Sequence, residues 1–127
     1  MENATPAHAE ALANALAMMV AANGRVDERE LRSLDQLEAF ERIGVRRERF
    51  VEFARICVRD IGTQLCERSW LSADHAAYIN ALFGVVPADE SRVLVCRLAA
   101  AVITADGLVT HDERLVYEHA LARWRIS

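Results

Sequence analysis

The phrase ANGRVDERE at residues 22–30 returns as ADGLVTHDE at residues 105–113. The two copies align without a gap, and equivalent positions differ by 83 in number, as Asn23 and Asp106 do. Each copy follows an alanine-rich apolar run and precedes an amphipathic one. Because repetition at a fixed offset is typical of a duplicated structural unit, the sequence predicts two copies of a helix–turn–helix. The turns hold the repeated polar residues of the chain.

The sequence around these copies is typical of an all-α protein. Its 127 residues suit one domain over residues 1–127, with residues 1–5 flexible. Proline and glycine are scarce, with 2 and 5 residues, and the β-branched and aromatic residues that favour long strands are few. We therefore predict a single compact all-α domain of about six helices.

Apolar spacing and capping residues place these helices. Pro6 suits a helix start, while Gly24, Gly44 and Gly84 suit helix ends. The predicted helices cover residues 6–23, 27–43, 46–62, 72–83, 87–105 and 111–127. Those at 46–62 and 87–105 carry the widest apolar stripes, so we expect them at the centre of the fold.

The charge balance excludes several function classes. The formal net charge is −4, whereas nucleic-acid binders rely on a surplus of basic residues. All 15 basic residues other than histidine are arginines, which excludes Schiff-base and P-loop lysine chemistry. The arginines at 46, 47, 49, 55 and 59 alternate with acids, which predicts a solvated helix face.

Cysteine spacing and apolar patterning favour the cytoplasm. Cys57, Cys66 and Cys96 form no CxxC pair and lie in apolar segments, as buried thiols of a reducing compartment do. The apolar run Ala11–Ala22 is shorter than the ~20 residues of a membrane span, and the first residues, Met1-Glu2-Asn3, lack the positive charge expected of a signal peptide.

The repeated turns fit a helix-capping arrangement. In a capping box, a polar N-cap side chain and an acidic residue three positions later bond to each other's main-chain amides. Each such cap contributes about 1 kcal/mol to stability. The residues in these roles are Gly24 and Gly107 as helix ends, Asp27 and Thr110 as N-caps, and Glu30 and Glu113 as the acidic partners.

The same turns also match the second half of an EF-hand calcium loop, through the pattern D-G-x-V-x-x-x-E. In this alternative, Asp106 and Glu113 would bind the ion in the second copy. The first half of the loop does not fit, because Val102 and Met19 stand where the first ligand belongs. A calcium ion takes about six oxygens, so water or another segment would have to supply the rest.

With these residues the chain resembles the TerB-like family, the helical module associated with bacterial tellurite resistance. That family has two copies of an apolar helix followed by a (D/N)-G-x-(V/I)-x-x-x-E turn. The resemblance extends from about Ala11 to Trp124. It implies an all-α fold with a pseudo-twofold internal repeat. It also implies a cytoplasmic or inner-membrane-peripheral location and a role in chemical or envelope stress or phage defence.

The resemblance further implies a divalent-cation site in the acidic turns. That role would fall on Asp106 and Glu113, and on Asn23, Asp27 and Glu30 in the first copy. Oxygen ligands favour calcium over zinc, and the few charged ligands predict weak binding. We expect a non-enzymatic module that binds this cation or a basic segment of a partner protein. The resemblance implies peripheral association with an inner-membrane complex as an alternative location, and a homodimer is a further expectation.

Two other functions remain open. A scaffold or oligomerisation domain would use the acidic turns as helix caps only. A small enzyme would need a pocket with a perturbed acid or thiol, for which Cys57 or Cys66 near His75 is the candidate. His111 and His119 lie about 12 Å apart along the last helix, too far for one zinc ion, and are expected to be exposed. Trp70 and Trp124 are expected to pack in or at the edge of the core.

Overall fold

The computed structural model describes residues 6–21, 28–61, 73–87, 89–104 and 111–126. The described part forms helices and their connections without a strand, which confirms the predicted all-α fold. Seven helices lie within these ranges: α1 (Pro6–Val20), α2 (Glu28–Gln36), α3 (Ala39–Ile43), α4 (Arg47–Ile61), α5 (Ala73–Gly84), α6 (Asp89–Ile103) and α7 (His111–Trp124). The predicted N-caps Asp27 and Thr110 lie outside the described residues.

Helix α1 lies at the centre of the described helices. From Ala11 to Ala21 every side chain except that of Asn14 is buried. The helix contacts α3, α4, α5, α6 and α7. An alanine-rich helix without charges can be buried around its whole circumference, and this segment has no charged residue.

The prediction that residues 46–62 form a central helix is therefore wrong. Helix α4 buries one face, with Phe50, Phe53, Ala54 and Cys57, and presents its arginine-rich face to solvent. Its large aromatic side chains give it a strong apolar stripe but leave the opposite side polar. The prediction that the helix over residues 87–105 lies near the centre agrees better with the structure, because α6 buries six side chains and contacts α1, α2 and α7.

Small side chains allow the neighbours of α1 to approach it closely. Alanines occupy alternate positions from Ala9 to Ala17, and residues two apart point about 200° apart on a helix. Small side chains thus face several neighbouring helices at once. Gly44, which ends α3 with φ 95°, would carry a Cβ only 3.6 Å from the Cβ of Ala9. Asn14, the polar residue of this run, donates a hydrogen bond from Nδ2 to the Glu10 carbonyl at 3.1 Å.

The predicted single helix over residues 27–43 is divided into α2 and α3. Glu38 adopts a left-handed conformation with φ 56° and ψ 34°, and α3 begins after it. In one continuous helix Leu34 and Ile43, nine residues apart, would point in opposite directions, about 180° apart. The break lets both side chains enter the core, where Leu34 and Ile43 are buried.

Helices α2 and α7 each contact the helix that begins the other half of the chain. Helix α2 follows α1 in the chain but packs against α6, whereas α7 packs both against α6, which it follows, and against α1. A single cluster of buried side chains draws on all seven helices. Near the start of α1 and α6, His8 Nε2 and Ser91 Oγ are hydrogen-bonded at 3.2 Å.

The left-handed residue at Glu38 provides a test of the helix break. A left-handed conformation costs an L-residue with a Cβ about 1–2 kcal/mol, and glycine avoids this cost. We expect Glu38→Gly to raise the free energy of unfolding by about 0.5–1 kcal/mol. This value is smaller than the relieved strain, because glycine also increases the conformational entropy of the unfolded chain. Urea denaturation followed by circular dichroism measures the change.

The control is Glu41→Gly, which changes an exposed glutamate inside α3. Because glycine is unfavourable within a helix, this variant should lose about 1 kcal/mol. If both substitutions destabilise the protein equally, residues 28–43 form one continuous helix and the break is contradicted.

Candidate functional site

Two buried glutamates mark the ends of the repeated phrases. Glu30 is 8% exposed and Glu113 is 3% exposed, and among the side chains whose burial is described every other charged one is more exposed than these. Each is the third residue of its helix, Glu30 in α2 and Glu113 in α7, as the capping interpretation predicts. Both interact with other groups of the chain.

The other predicted ligands cannot be placed. Asn23, Asp27 and Asp106 lie outside the described residues, as do Gly24, Gly107 and Thr110. Among the residues that are described, no three histidine, cysteine or acidic side chains form a group able to hold a metal ion. Of the predicted cation ligands, Glu30 and Glu113 lie within the described residues.

Burial of these carboxylates has an energetic consequence. A carboxylate removed from water needs hydrogen bonds or an opposite charge, because an uncompensated buried charge costs several kcal/mol. The start of a helix provides both main-chain N–H groups and the positive end of the helix dipole. An ionised carboxylate has about four lone-pair sites, so a capping interaction leaves acceptor capacity for a further ligand.

The thiol of Cys57 is buried and is not activated as a nucleophile. Burial raises the pKa of Cys57 to about 11, although a hydrogen bond with Tyr78 opposes part of this effect. Tyr78 in turn donates from Oη to Asp60 Oδ2 at 3.0 Å, so the aspartate accepts from the tyrosine hydroxyl. Burial likewise raises the pKa of Cys96 to about 11. Both cysteines are therefore protonated and non-nucleophilic at neutral pH.

Cys57 and Cys96 are buried, as predicted, whereas Cys66 and the candidate enzyme site that included it lie outside the described residues. The side chain of His75, the other member of that site, is also outside the described part. Because the Cys57 thiol stays protonated at neutral pH, the structure does not support Cys57 as the nucleophile of the enzyme hypothesis.

His119 is half-buried, which corrects the expectation of an exposed histidine. Its Nε2 donates to Asn80 Oδ1 at 2.8 Å, joining α7 to α5. Its ring lies 6.3 Å from that of Phe83. Burial, and secondly the charge of Arg123, lower the pKa of His119. The sequence contained a signal for this position, because His119 lies three residues after Val116, which is buried, and residues three apart share one side of a helix.

Trp124 packs at the end of α7, as predicted. Its ring lies 5.1 Å from the ring of Phe83, and its Nε1 donates to the Phe83 carbonyl at 3.2 Å. The indole thus has a structural partner for its polar atom, which is the usual condition for burying a tryptophan. Trp70 lies outside the described residues.

The arginine-rich face of α4 is solvated, as predicted, and two of its members also tie helices together. Arg47 pairs with Glu28 at 3.3 Å and with Asp35 at 3.2 Å, both on α2. Arg49 pairs with Glu10 of α1 at 3.1 Å and stacks over the Phe53 ring at 4.5 Å. Exposed ion pairs of this kind each contribute little to stability. Their main effect is to fix the orientation of α4 against α1 and α2.

Comparison of the chain with known protein families, with curated proteins and with solved structures gives no match. In the described part of the chain, no helix combines the length and the apolar character needed to cross a bilayer.

The raised pKa values of Cys57 and Cys96 predict slow thiol labelling. At about pH 8, a thiol with a pKa near 11 is about one part in a thousand thiolate, and burial slows its reaction further. In a Cys66→Ser background, we expect the folded protein to react with a disulfide reagent only as fast as it unfolds. Both thiols should react promptly in denaturant.

The matched control is Ile56→Cys in the same background, which places a thiol on the exposed side of α4 beside Cys57. This variant should label rapidly in the folded state. Labelling of Cys57 or Cys96 at the rate of the Ile56→Cys thiol would contradict their burial and would revive a nucleophilic role.

The lowered pKa of His119 predicts a dependence of stability on pH. The unfolded chain titrates His119 near pH 6.5, and the folded chain titrates it below that value. Between the two pKa values the unfolded state binds more protons, so stability is full above about pH 6.5 and is lost as the pH falls through it. His119→Gln should make the free energy of unfolding less dependent on pH in this interval.

Chemical denaturation between about pH 7.5 and about pH 5 measures the effect, and NMR titration of the imidazole gives its folded-state pKa directly. A pKa at or above 6.5, or an unchanged pH dependence in His119→Gln, would contradict the assignment.

Proposed function

We propose that this chain is a non-enzymatic module of the TerB-like kind, in which two equivalent acidic turns bind a divalent cation or a basic segment of a partner protein. The observation that carries the proposal is the matched pair Glu30 and Glu113. These residues are 83 positions apart, occupy the third position of two helices, and are both buried.

An internal repeat with pseudo-twofold symmetry is part of this proposal. Helices α1 and α6 begin and end at positions that differ by 83, and so do the starts of α2 and α7. The contacts of α2 with α6 and of α7 with α1 are equivalent under a twofold relation, whereas the additional packing of α7 on α6 has no counterpart of that extent between α2 and α1. The hydrogen bond between His8 and Ser91 joins two positions at the same offset, as contacts beside a twofold axis do.

The cation version of the proposal rests on the donor chemistry of the turns. Asp106 and Glu113 in one turn, and Asn23, Asp27 and Glu30 in the other, supply only oxygen donors. Such ligands suit calcium rather than zinc, which favours nitrogen and sulfur. With so few charged ligands, binding would be weak, with a dissociation constant of about 10⁻⁴–10⁻³ M.

The biological setting follows from the resemblance and is part of the same proposal. A TerB-like module would act in the cytoplasm, in the response to tellurite or other chemical stress. Its protein partner could belong to an inner-membrane complex, and a homodimer is a further form. The net charge of −4 favours a protein partner over nucleic acid.

A second candidate is a scaffold or oligomerisation domain whose acidic turns serve only as helix caps. The observation that favours it is the position of Glu30 and Glu113, because the third residue of a helix is where a capping carboxylate belongs. The burial of both carboxylates is compatible with either function. The two functions differ in what happens when the charge is removed.

Calcium titration of the isotope-labelled protein, followed by amide NMR, distinguishes them. The proposal predicts saturable shifts at Gly107 and Glu113, and smaller ones at Gly24 and Glu30. Glu113→Gln keeps the size of the side chain but removes its charge, and should abolish the shifts at its own turn. The matched control is Glu118→Gln, an exposed glutamate of the same helix that pairs with Arg114 at 3.0 Å.

The cation site is contradicted if calcium shifts the amide signals of neither turn. It is also contradicted if calcium shifts the amide signals of the Glu113→Gln variant as it shifts those of the parent protein. Glu113→Ala would then be expected to cost about 1 kcal/mol of stability through loss of the cap. A pull-down from cell extract with the parent protein and with a Glu30→Gln, Glu113→Gln double variant tests the partner version. Identical captured proteins would contradict it.

A further inference from the structure

An open groove of about 640 Å³ lies between the start of α6 and the end of α7. Arg92, Arg123 and Arg125 carry its positive charge, and Val93 and Trp124 contribute apolar surface. The groove therefore combines positive charges with an apolar surface, which is unusual in a chain whose net charge is −4.

A second groove, of about 400 Å³, lies between α6 and α3. Arg42 and Arg97 supply its positive charge, and Leu94 its apolar surface. Both grooves are lined by Asp89 and Val93, so they adjoin at the same turn of α6. We call the combined surface the arginine groove; it holds five arginines against the two carboxylates of Asp89 and Glu90.

Most of this positive charge is not neutralised within the described part of the chain. Arg92 is held by the Val86 carbonyl, to which its Nε donates at 3.0 Å, and lies 3.8 Å from Asp89. No ion pair with a described residue is found for the other four arginines of the groove, which are Arg42, Arg97, Arg123 and Arg125. On α4, by contrast, three of the four arginines, Arg47, Arg49 and Arg59, each pair with an acid.

Apolar surface continues at the edge of the groove. The Nη2 atom of Arg123 would lie 2.9 Å from a Cβ at Gly84, so the absence of a side chain there lets the guanidinium pack against the α5 end. The next residue, Val85, is 59% exposed. It stands in sequence between Gly84, which Arg123 covers, and Val86, whose carbonyl binds Arg92.

We propose that the arginine groove binds an extended acidic segment of a partner protein, with carboxylates at the arginines and an aliphatic or aromatic side chain against Val93 and Trp124. Guanidinium groups bind carboxylates through paired hydrogen bonds, and an apolar anchor supplies the desolvated centre that peptide recognition requires. This site uses none of the residues of the acidic turns, which would attract a cation or a basic segment.

The groove fits an acidic peptide better than a nucleic acid. Asp89 and Glu90 begin α6 close to Val93, which lines both grooves, and would repel a phosphate or a carboxylate placed beside them. The side chain of Asp89 is 97% exposed, so a ligand must present a neutral group there, which a continuous phosphate backbone cannot do. A peptide can alternate carboxylates with apolar or neutral residues and thus match the mixed surface.

The test uses a short synthetic peptide in which aspartate and glutamate alternate with leucine and phenylalanine. Added to the isotope-labelled full chain, it should shift amides of residues 89–97 and 123–126, and added salt should weaken its binding. Arg97→Glu and Arg125→Glu, both at exposed positions, should each weaken binding at least about tenfold. Val93→Thr keeps the side-chain shape but reduces its apolar surface, and should weaken binding to a smaller extent.

The matched control is Arg55→Glu, which makes the same charge change on the exposed face of α4, away from the groove; its binding should remain within about twofold of the parent protein. Circular dichroism verifies that each variant is folded. The proposal is overturned if the peptide leaves residues 89–97 and 123–126 unshifted, or if Arg97→Glu and Arg125→Glu bind it as the parent does. It is also overturned if an oligothymidylate of equal length binds there as tightly as the peptide.

Discussion

The burial of α1 is the constraint on which the rest of the structure depends. Its apolar residues from Ala11 to Ala21 can avoid water only if other helices surround them. Five of the other six described helices contact α1 and provide that cover. The alanines keep the helix thin enough for several neighbours to pack closely at once, and Asn14 satisfies its own amide locally. The positions of α4, α5 and α7 follow from this requirement.

The same packing determines where the acidic residues are found. Helix α7 lies against α1 and α2 lies against α6, so the first turns of both are drawn toward the core. Glu30 and Glu113 are buried as a consequence, while the other acids whose burial is described stay nearer to solvent. A buried carboxylate needs compensation, which helix-start amides supply and which a bound cation would extend. The electrostatics of the proposed site thus result from how the helices pack.

Much of this could be predicted from the sequence, because helix starts, helix ends and apolar spacing are local signals. The helical nature of each segment and the third-position placement of Glu30 and Glu113 are examples. The central role of α1 was missed, since alanine gives a weak apolar stripe even though it permits burial on every side. The break at Glu38 was missed because no glycine or proline marks it; the need to bury both Leu34 and Ile43 imposes it. The arginine groove joins residues from α3, α6 and α7, whose proximity no local pattern reveals.

Native-state hydrogen exchange tests the central position of α1 most directly. If α1 is the helix around which the others pack, its amides from Leu12 to Val20 should exchange only through global unfolding, with the highest protection in the chain alongside α6. The amides of α4, which has one solvated face, should exchange earlier through partial opening. Faster exchange in α1 than in α4 would contradict the account, because a helix that opens first cannot be the one that organises the others.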